Sequence, residues 1–168
     1  MKFKKKIIIG IDPGYYNTGL TIIKYFNKKK FKIIKLIQIS FKKKYQNNKK
    51  IYLLYNYFYK ILKTYKPLIL IIEKPFYGKN IKILIKLSKL QTIFILLTYK
   101  FKILIIKYYP KEIKLTITQN GNSNKNLIYK HLKIIKFYKQ KINLSIKTPD
   151  INDSLAIALT YIKKTYIK

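Results

Sequence analysis

The chain has 168 residues, long enough to bury the core of one domain, and its 49% hydrophobic content excludes a disordered protein. It carries 38 basic and 5 acidic residues, for a formal charge of +33, and no cysteine, which excludes disulfides and thiolate metal sites. Lysines interrupt every apolar run, so we expect neither a membrane span nor a signal peptide.

The first 40 residues predict three antiparallel strands. K-I-I-I-G-I-D at 6–12 is a β-rich run that ends in an acid. The turn P-G-Y-Y-N-T-G separates it from L-T-I-I-K-Y-F, and a polar N-K-K-K break leads to F-K-I-I-K-L-I-Q-I. Short β-rich runs joined by tight turns are typical of a meander.

The middle of the chain alternates helical and strand patterns. Residues 47–65 carry apolar side chains at helical spacing, and Pro67 ends that helix. P-L-I-L-I-I-E at 67–73 predicts a strand buried on both faces. A second helical pattern covers about 80–99, and F-K-I-L-I-I-K at 101–107 predicts another buried strand.

The last third of the chain predicts three helices. A short helix opens at Pro110, and Asn122 or Ser123 is the expected cap of a helix that reaches about residue 139. The final helix starts near Asp150 and runs to the C-terminus. A single α/β domain over residues 1–168 follows, with a mixed five-stranded sheet flanked by helices.

Four of the five acids occupy positions where a metal site can form. Asp12 and Glu73 end predicted strands, at the edge where open α/β sheets assemble their sites. Asp150 and Asp153 share one face of the last helix near its start, where the helix dipole favours anions. Carboxylate oxygens suit hard divalent cations such as Mg²⁺, and two such ions can promote phosphodiester hydrolysis.

Each of these acids also has a purely structural interpretation. Asp150 is a candidate N-cap after Pro149, and Asp153 is a favourable first-turn charge. Asp12 fits the turn D-P-G, and Glu73 has many lysines as potential partners. The convergence of all four favours the metal site.

The positive charge has two interpretations as well. It favours an anionic partner such as nucleic acid. The chain also lacks Arg, Val and Trp and is rich in residues with A- and T-rich codons, so base composition is the alternative explanation for much of the lysine excess. Charge alone leaves the partner open.

Four blocks of sequence, in order, resemble the motifs of one family. G-I-D-P-G-Y-Y-N-T-G at 10–19 resembles G-I-D-P-G-x-x-x-T-G, and I-E-K-P-F-Y-G-K-N at 72–80 resembles I-E-x-x-F-x-x-K-N. P-K-E-I-K-L-T-I-T-Q-N-G-N-S-N-K at 110–125 is similar to a basic block, and D-I-N-D-S-L-A-I-A-L-T at 150–160 resembles D-x-x-D-A-L-A-I-A. The family is that of the RuvC-type Holliday junction resolvases, which have an RNase H-like fold.

The resemblance implies a role for seven residues. Four are expected to hold the metal and carry catalysis, and we call them the four acids: Asp12, Glu73, Asp150 and Asp153. The expected metal is Mg²⁺, two ions per site, with Mn²⁺ as a substitute. Phe76 matches an aromatic that enters the junction, although an ordinary loop anchor is an equal alternative and Tyr77 could take the role. Lys114 and Lys125 match residues near the scissile phosphate; for any single lysine in this chain, a solvated charge is the alternative.

The resemblance further implies an endonuclease that nicks two opposing strands of four-way junction DNA symmetrically, as a homodimer. RuvA/RuvB-type branch-migration proteins are expected partners, no membrane is involved, and the expected location is the cytoplasm, at the nucleoid. Two alternatives stay open: a non-catalytic junction-binding protein and an RNase H-like nuclease acting on RNA–DNA hybrids. The sequence departs from the family at Ser88 to Thr92 in the dimer helix and at Gln119, where glycine is common. Gln119 is costly there if its φ is positive.

Overall fold

Apolar runs and turn residues form a mixed sheet with helices on both faces. The computed structural model describes residues 6–27, 30–42, 44–75, 81–134 and 148–165. Its elements in chain order are β1 (Lys6–Asp12), β2 (Asn17–Asn27), β3 (Lys30–Ser40), α1 (Asn47–Tyr65), β4 (Ile69–Glu73), α2 (Ile81–Lys100), β5 (Leu104–Tyr108), α3 (Pro110–Thr118), α4 (Lys125–Ile134) and α5 (Pro149–Lys164).

The five strands are arranged in the order β3-β2-β1-β4-β5. β1 pairs antiparallel with β2, and β2 pairs antiparallel with β3, which confirms the predicted meander. β1 pairs in parallel with β4, and β4 in parallel with β5. The sheet is therefore mixed, as predicted, and β1 and β4 end side by side at one edge.

Alternating side chains of the central strands fill two apolar layers. Ile8 and Ile71 point to the face covered by α3, α4 and α5. Ile9 and Ile72 point to the opposite face, which α1 and α2 cover. Because both faces of β1 and β4 are covered, their apolar residues are buried on both sides. None of the described helices is long and apolar enough to cross a bilayer.

The prediction of a second fully buried strand is wrong for β5. This strand pairs only with β4 among the described residues, and Leu104 is 59% exposed. A short apolar run is compatible with either a central or an edge position, so its sequence does not reveal which one it takes.

The predicted cap of α4 is also wrong. The backbone N–H of Leu127 donates to Oδ1 of Asn124 at 2.9 Å, so Asn124 caps the helix. Ser123 instead packs inward, where its hydroxyl lies 2.6 Å from the Thr118 hydroxyl. The predicted extension of this helix to about residue 139 falls outside the described residues.

Three polar residues have structural roles. Gln119 ends α3 with a φ of 62°, so the position does require the left-handed region that favours glycine. Glu112 accepts from the Tyr109 backbone N–H and from Lys164 Nζ, each at 2.7 Å, so its charge is balanced by a distant lysine and not by its neighbours. Nδ1 of the half-buried His131 lies 3.0 Å from the Leu127 carbonyl, one turn earlier in α4.

Candidate metal centre

Asp12 and Glu73 lie next to each other because their strands are parallel neighbours. Ile11 of β1 pairs with Ile72 of β4, and each strand has one further residue, which is the acid. The two carboxylates therefore leave the sheet at the same edge, as expected for the carboxyl ends of parallel strands.

Helix α5 brings the other two acids to that edge. Its N-cap is Thr148, with Pro149 as the first helical residue. Asp150 therefore lies inside the first turn and is not the cap, which corrects the structural alternative for this residue. Asp153 lines a cleft of about 230 Å³ together with Asp12 and Glu73.

Two glycines allow α5 to lie directly on the sheet. A Cβ added to Gly10 would come within 2.7 Å of the Ala158 Cβ, and one added to Gly19 would overlap the Asp150 carbonyl. The buried hydroxyls of Thr21 and Ser154 lie 2.8 Å apart and join β2 to the same helix. The absence of side chains at these two positions thus sets the distance between α5 and the acids of β1 and β4.

The electrostatics of the cleft show that negative charge is crowded there. Burial, followed by the charges of Asp153, Glu73 and Asp150, raises the pKa of Asp12 to about 8. Burial, followed by Asp153, raises the pKa of Glu73 to about 7. Each carboxylate makes its neighbours harder to ionise, so the site has a deficit of positive charge.

Lys125 and Lys114 partly offset this deficit. Nζ of Lys125 donates to Oδ2 of Asp153 at 2.9 Å, and this bond raises the pKa of Lys125. Lys114 lines the same cleft, and its charge lowers the pKa of Glu73. Both lysines singled out in the sequence therefore lie at the acids, among 38 basic residues in the chain.

The donor set suits a hard divalent cation, since the cleft presents carboxylate oxygens and no sulfur ligand. Across the ranges that the structure describes, no three His, Asp or Glu side chains are grouped closely enough to hold a metal ion as they stand. The Lys125 ammonium lies beside Asp153 instead. An ion would therefore have to displace this lysine from the carboxylate.

Phe76, which was predicted to enter the junction, and Tyr77 fall outside the described residues.

Tyr129 was not predicted from the sequence. Burial and the charge of Asp153 raise the pKa of its hydroxyl, which places it near the acids. Its position four residues after Lys125 on α4 was the available signal, because such residues share a helix face.

Comparisons with known proteins identify the family. The family model described as Crossover junction endodeoxyribonuclease RuvC matches residues 8–161. The chain is 30% identical over 159 residues to the RuvC of Christiangramia forsetii, which covers 94% of this chain and 79% of that protein. It is 34% identical over 155 residues to the RuvC of Wigglesworthia glossinidia brevipalpis, with 92% of each chain covered.

A solved structure has the same fold. Thermus thermophilus RuvC in complex with a Holliday junction substrate aligns with a TM-score of 0.81 at 18% identity, covering 95% of this chain and 94% of that one. The mixed five-stranded sheet with its helices is thus the RNase H-like fold expected from the sequence motifs. The chain belongs to the RuvC family of crossover junction endodeoxyribonucleases.

Proposed function

We propose that this member of the RuvC family resolves four-way DNA junctions by metal-dependent hydrolysis of phosphodiester bonds, with the four acids as metal ligands. The observation that carries the proposal is that Asp12, Glu73 and Asp153 line one cleft at a sheet edge, and that Asp150 is near enough for its charge to act on Asp12, in a chain with only five acids and a charge of +33. The T. thermophilus RuvC structure contains a Holliday junction substrate, and we extend that substrate to this chain.

We propose Mg²⁺ as the metal, two ions per site, with Mn²⁺ as a substitute, because carboxylate oxygens are the ligands these ions prefer. When bound, such ions supply an activated water and stabilise the leaving oxygen of a phosphodiester. The chain contributes the carboxylates, and Asp12 and Glu73, whose pKa values are raised, must lose their protons before a metal ion binds.

Lys125 and Lys114 are proposed to hold the phosphate group. The Lys125 side chain is 67% exposed although its ammonium lies at Asp153, so it can turn toward the solvent side of the cleft. Once Asp153 is engaged elsewhere, the Lys125 ammonium is available to donate to a phosphate oxygen. Lys114 adds a second positive charge at the same cleft.

A homodimer is proposed from the surface of α2. Apolar side chains lie at both ends of one exposed stripe of this helix, and small polar residues lie in the middle. The stripe consists of Ile81, Ile85, Ser88, Thr92, Leu96 and Tyr99. Leu96 is 62% exposed and Tyr99 is 88% exposed, so an apolar surface is available for a second copy. Two copies would present two clefts, one for each of two opposing strands.

The same function implies where and with what the protein works. We propose that it acts in the cytoplasm at the nucleoid, where its DNA substrate is found. We further propose that RuvA/RuvB-type branch-migration proteins supply the junction.

The test compares three labelled substrates, a four-way junction, a plain duplex and an RNA–DNA hybrid, each with and without Mg²⁺. Wild-type protein is expected to cut only the junction, and only with Mg²⁺. Asp12→Asn is expected to lower the cutting rate more than about 100-fold, because even residues that merely support metal ligands cost 10- to 100-fold when changed. Junction binding and thermal unfolding serve as the control that this variant is folded.

Each contrary result points to one alternative. If wild-type protein binds the junction without cutting it in Mg²⁺, the chain is a non-catalytic junction-binding protein. Preferential cutting of the hybrid would assign it to another RNase H-like activity. Unchanged junction cutting by Asp12→Asn would remove the four acids from the mechanism.

A further inference from the structure

A second groove lies beside the acidic cleft and has no role in the function proposed above. Its volume is about 680 Å³, within the range of about 300–1,000 Å³ that is common for ligand sites. It shares Pro110 and Lys114 with the cleft, so the two spaces are adjacent. Whatever enters this groove is therefore a neighbour of whatever lies at the four acids.

Tyr109 forms one wall of the groove and is fixed relative to the acids. It directly follows Tyr108, whose partner in the register of β4 and β5 is Glu73. Its backbone N–H donates to Glu112 Oε2 at 2.7 Å at the start of α3. The residue is 52% exposed, so part of its surface is accessible close to the cleft.

Positive charge surrounds this ring. Nζ of Lys74 lies over the ring, 3.9 Å from its centroid, and the Lys74 backbone N–H donates to the Tyr108 carbonyl at 2.8 Å. Lys111 and Lys114 line the same groove. The groove therefore offers a stacking surface together with ammonium groups, the combination that binds single nucleotides of a strand.

The acid in the groove does not repel an anion. Both oxygens of Glu112 are engaged, one by the Tyr109 backbone N–H and one by Lys164 Nζ at 2.7 Å. These bonds lower the pKa of Glu112, and the lysine balances its charge. Among the described lining residues the net charge is positive.

We propose that this groove binds an unstacked nucleotide of the junction next to the cleaved phosphate, with its base stacked on Tyr109 and its phosphate facing Lys111. The inference rests on the proposed function, because it takes junction DNA as the ligand. It adds a binding site for a base, through which the identity of that nucleotide can influence where the strand is cut.

The test is a double-mutant cycle between the tyrosine and the base. Junctions are prepared with a single abasic position at each of the nucleotides flanking the cleaved bond. Their affinity is measured in EDTA, so that no strand is cut. Wild-type protein is compared with Tyr109→Ala, with Tyr109→Phe, which keeps the ring, and with Tyr52→Ala as a control at a 65% exposed tyrosine of α1.

On the intact junction, Tyr109→Ala is expected to bind about 5- to 150-fold more weakly, the range expected for one stacked base. Tyr109→Phe and Tyr52→Ala should bind like the wild type. When the stacked base is removed at one abasic position, the affinity of the wild type should fall by the same factor. The affinity of Tyr109→Ala should not fall further at that position. The inference would be overturned if Tyr109→Ala bound every abasic junction more weakly than the wild type by the same factor. It would also be overturned if Tyr109→Ala bound the intact junction as tightly as the wild type. Failure of the proposed function has a different signature, because wild-type protein itself would then not cut the intact junction in Mg²⁺.

Discussion

Burial and three nearby carboxylates raise the pKa of Asp12 to about 8, and burial with Asp153 raises that of Glu73 to about 7. In the unfolded chain both groups ionise near pH 4. The folded, metal-free chain therefore binds more protons than the unfolded chain between about pH 4 and pH 8. By linkage, its free energy of unfolding falls as the pH rises through this window. A cation that binds the ionised carboxylates reverses this loss.

This linkage predicts how Mg²⁺ affects thermal stability. Without metal, the melting temperature should fall between about pH 5.5 and about pH 8.5, and Mg²⁺ should raise it more at the higher pH. Asp12→Asn should stabilise the metal-free chain at high pH, because it removes a charge that the site cannot accommodate. Scanning calorimetry at both pH values measures the effect.

The Asn variant is also the control, since most of the Mg²⁺ effect should disappear with it. Equal stabilisation by Mg²⁺ at both pH values would contradict the prediction. So would a metal-free melting temperature that rises with pH.

At this scale the sequence predicted where the acids lie in the fold, but it did not single out Tyr109. A chain with five acids makes each one conspicuous, and Lys114 and Lys125 were found through the motifs around them. Tyr109 is one of 17 tyrosines, and nothing in Y-Y-P-K-E distinguishes it from Tyr108. Its importance depends on Lys74 and on the pairing of β4 with β5, which are contacts between distant parts of the chain.

Among the elements, α5 decides whether the site is assembled. It carries Asp150 and Asp153, and it brings them close to Asp12 because it lies directly against Gly10 and Gly19. The helix backbone is so close to β2 at Gly19 that even a methyl group has no space. The position of Asp150 and Asp153 therefore depends on Gly19, which has no side chain.

Gly19→Ala is expected to lower the free energy of unfolding by about 1–3 kcal/mol, the usual cost of an overpacked core. It should also reduce junction cutting, because the Asp150 backbone must move away from β2. Chemical denaturation and the junction assay measure the two effects.

Gly121→Ala is the matched control for stability. A Cβ there would meet the flexible Lys111 side chain at 2.9 Å, which can move aside, so its cost should be smaller. Equal unfolding free energies for the two variants would contradict this account of α5.

Helices and strands were predicted well where the apolar spacing and the residues that end an element indicate the same boundary. The helix predicted over 47–65 matches α1 because apolar spacing and Pro67 both end it there. The prediction of the α4 cap was wrong because three adjacent residues, Asn122, Ser123 and Asn124, are all of types that favour the N-cap position. The Thr118 hydroxyl is hydrogen-bonded to the Ser123 hydroxyl, so Ser123 does not cap the helix.

For the whole molecule, the proposed dimer has a direct test. Leu96→Glu places a charge in the apolar part of the α2 stripe, where the two copies would meet. The variant is expected to be monomeric at concentrations where the wild type is dimeric, as measured by analytical ultracentrifugation. A monomer cuts one strand per encounter, so a cruciform plasmid should give nicked circles in place of linear DNA.

Tyr52→Glu, at a 65% exposed position on α1, is the control and should stay dimeric and produce linear DNA. Dimeric Leu96→Glu, or a monomeric wild type that still linearises the plasmid, would contradict the proposed interface. The sequence could not locate this stripe, because its middle residues replace the run that the family usually has at Ser88 to Thr92.

The hydroxyl pair of Thr21 and Ser154 joins positions 133 residues apart in the chain. During synthesis on the ribosome, β1 to β3 emerge long before the segment that forms α5. A nascent or truncated chain already carries most of the lysines, but only Asp12 and Glu73 of the proposed ligand set. On the proposed ligand set, strand cutting becomes available only when the last helix docks, so that an unfinished chain beside ribosomal RNA or the genome would not cut it.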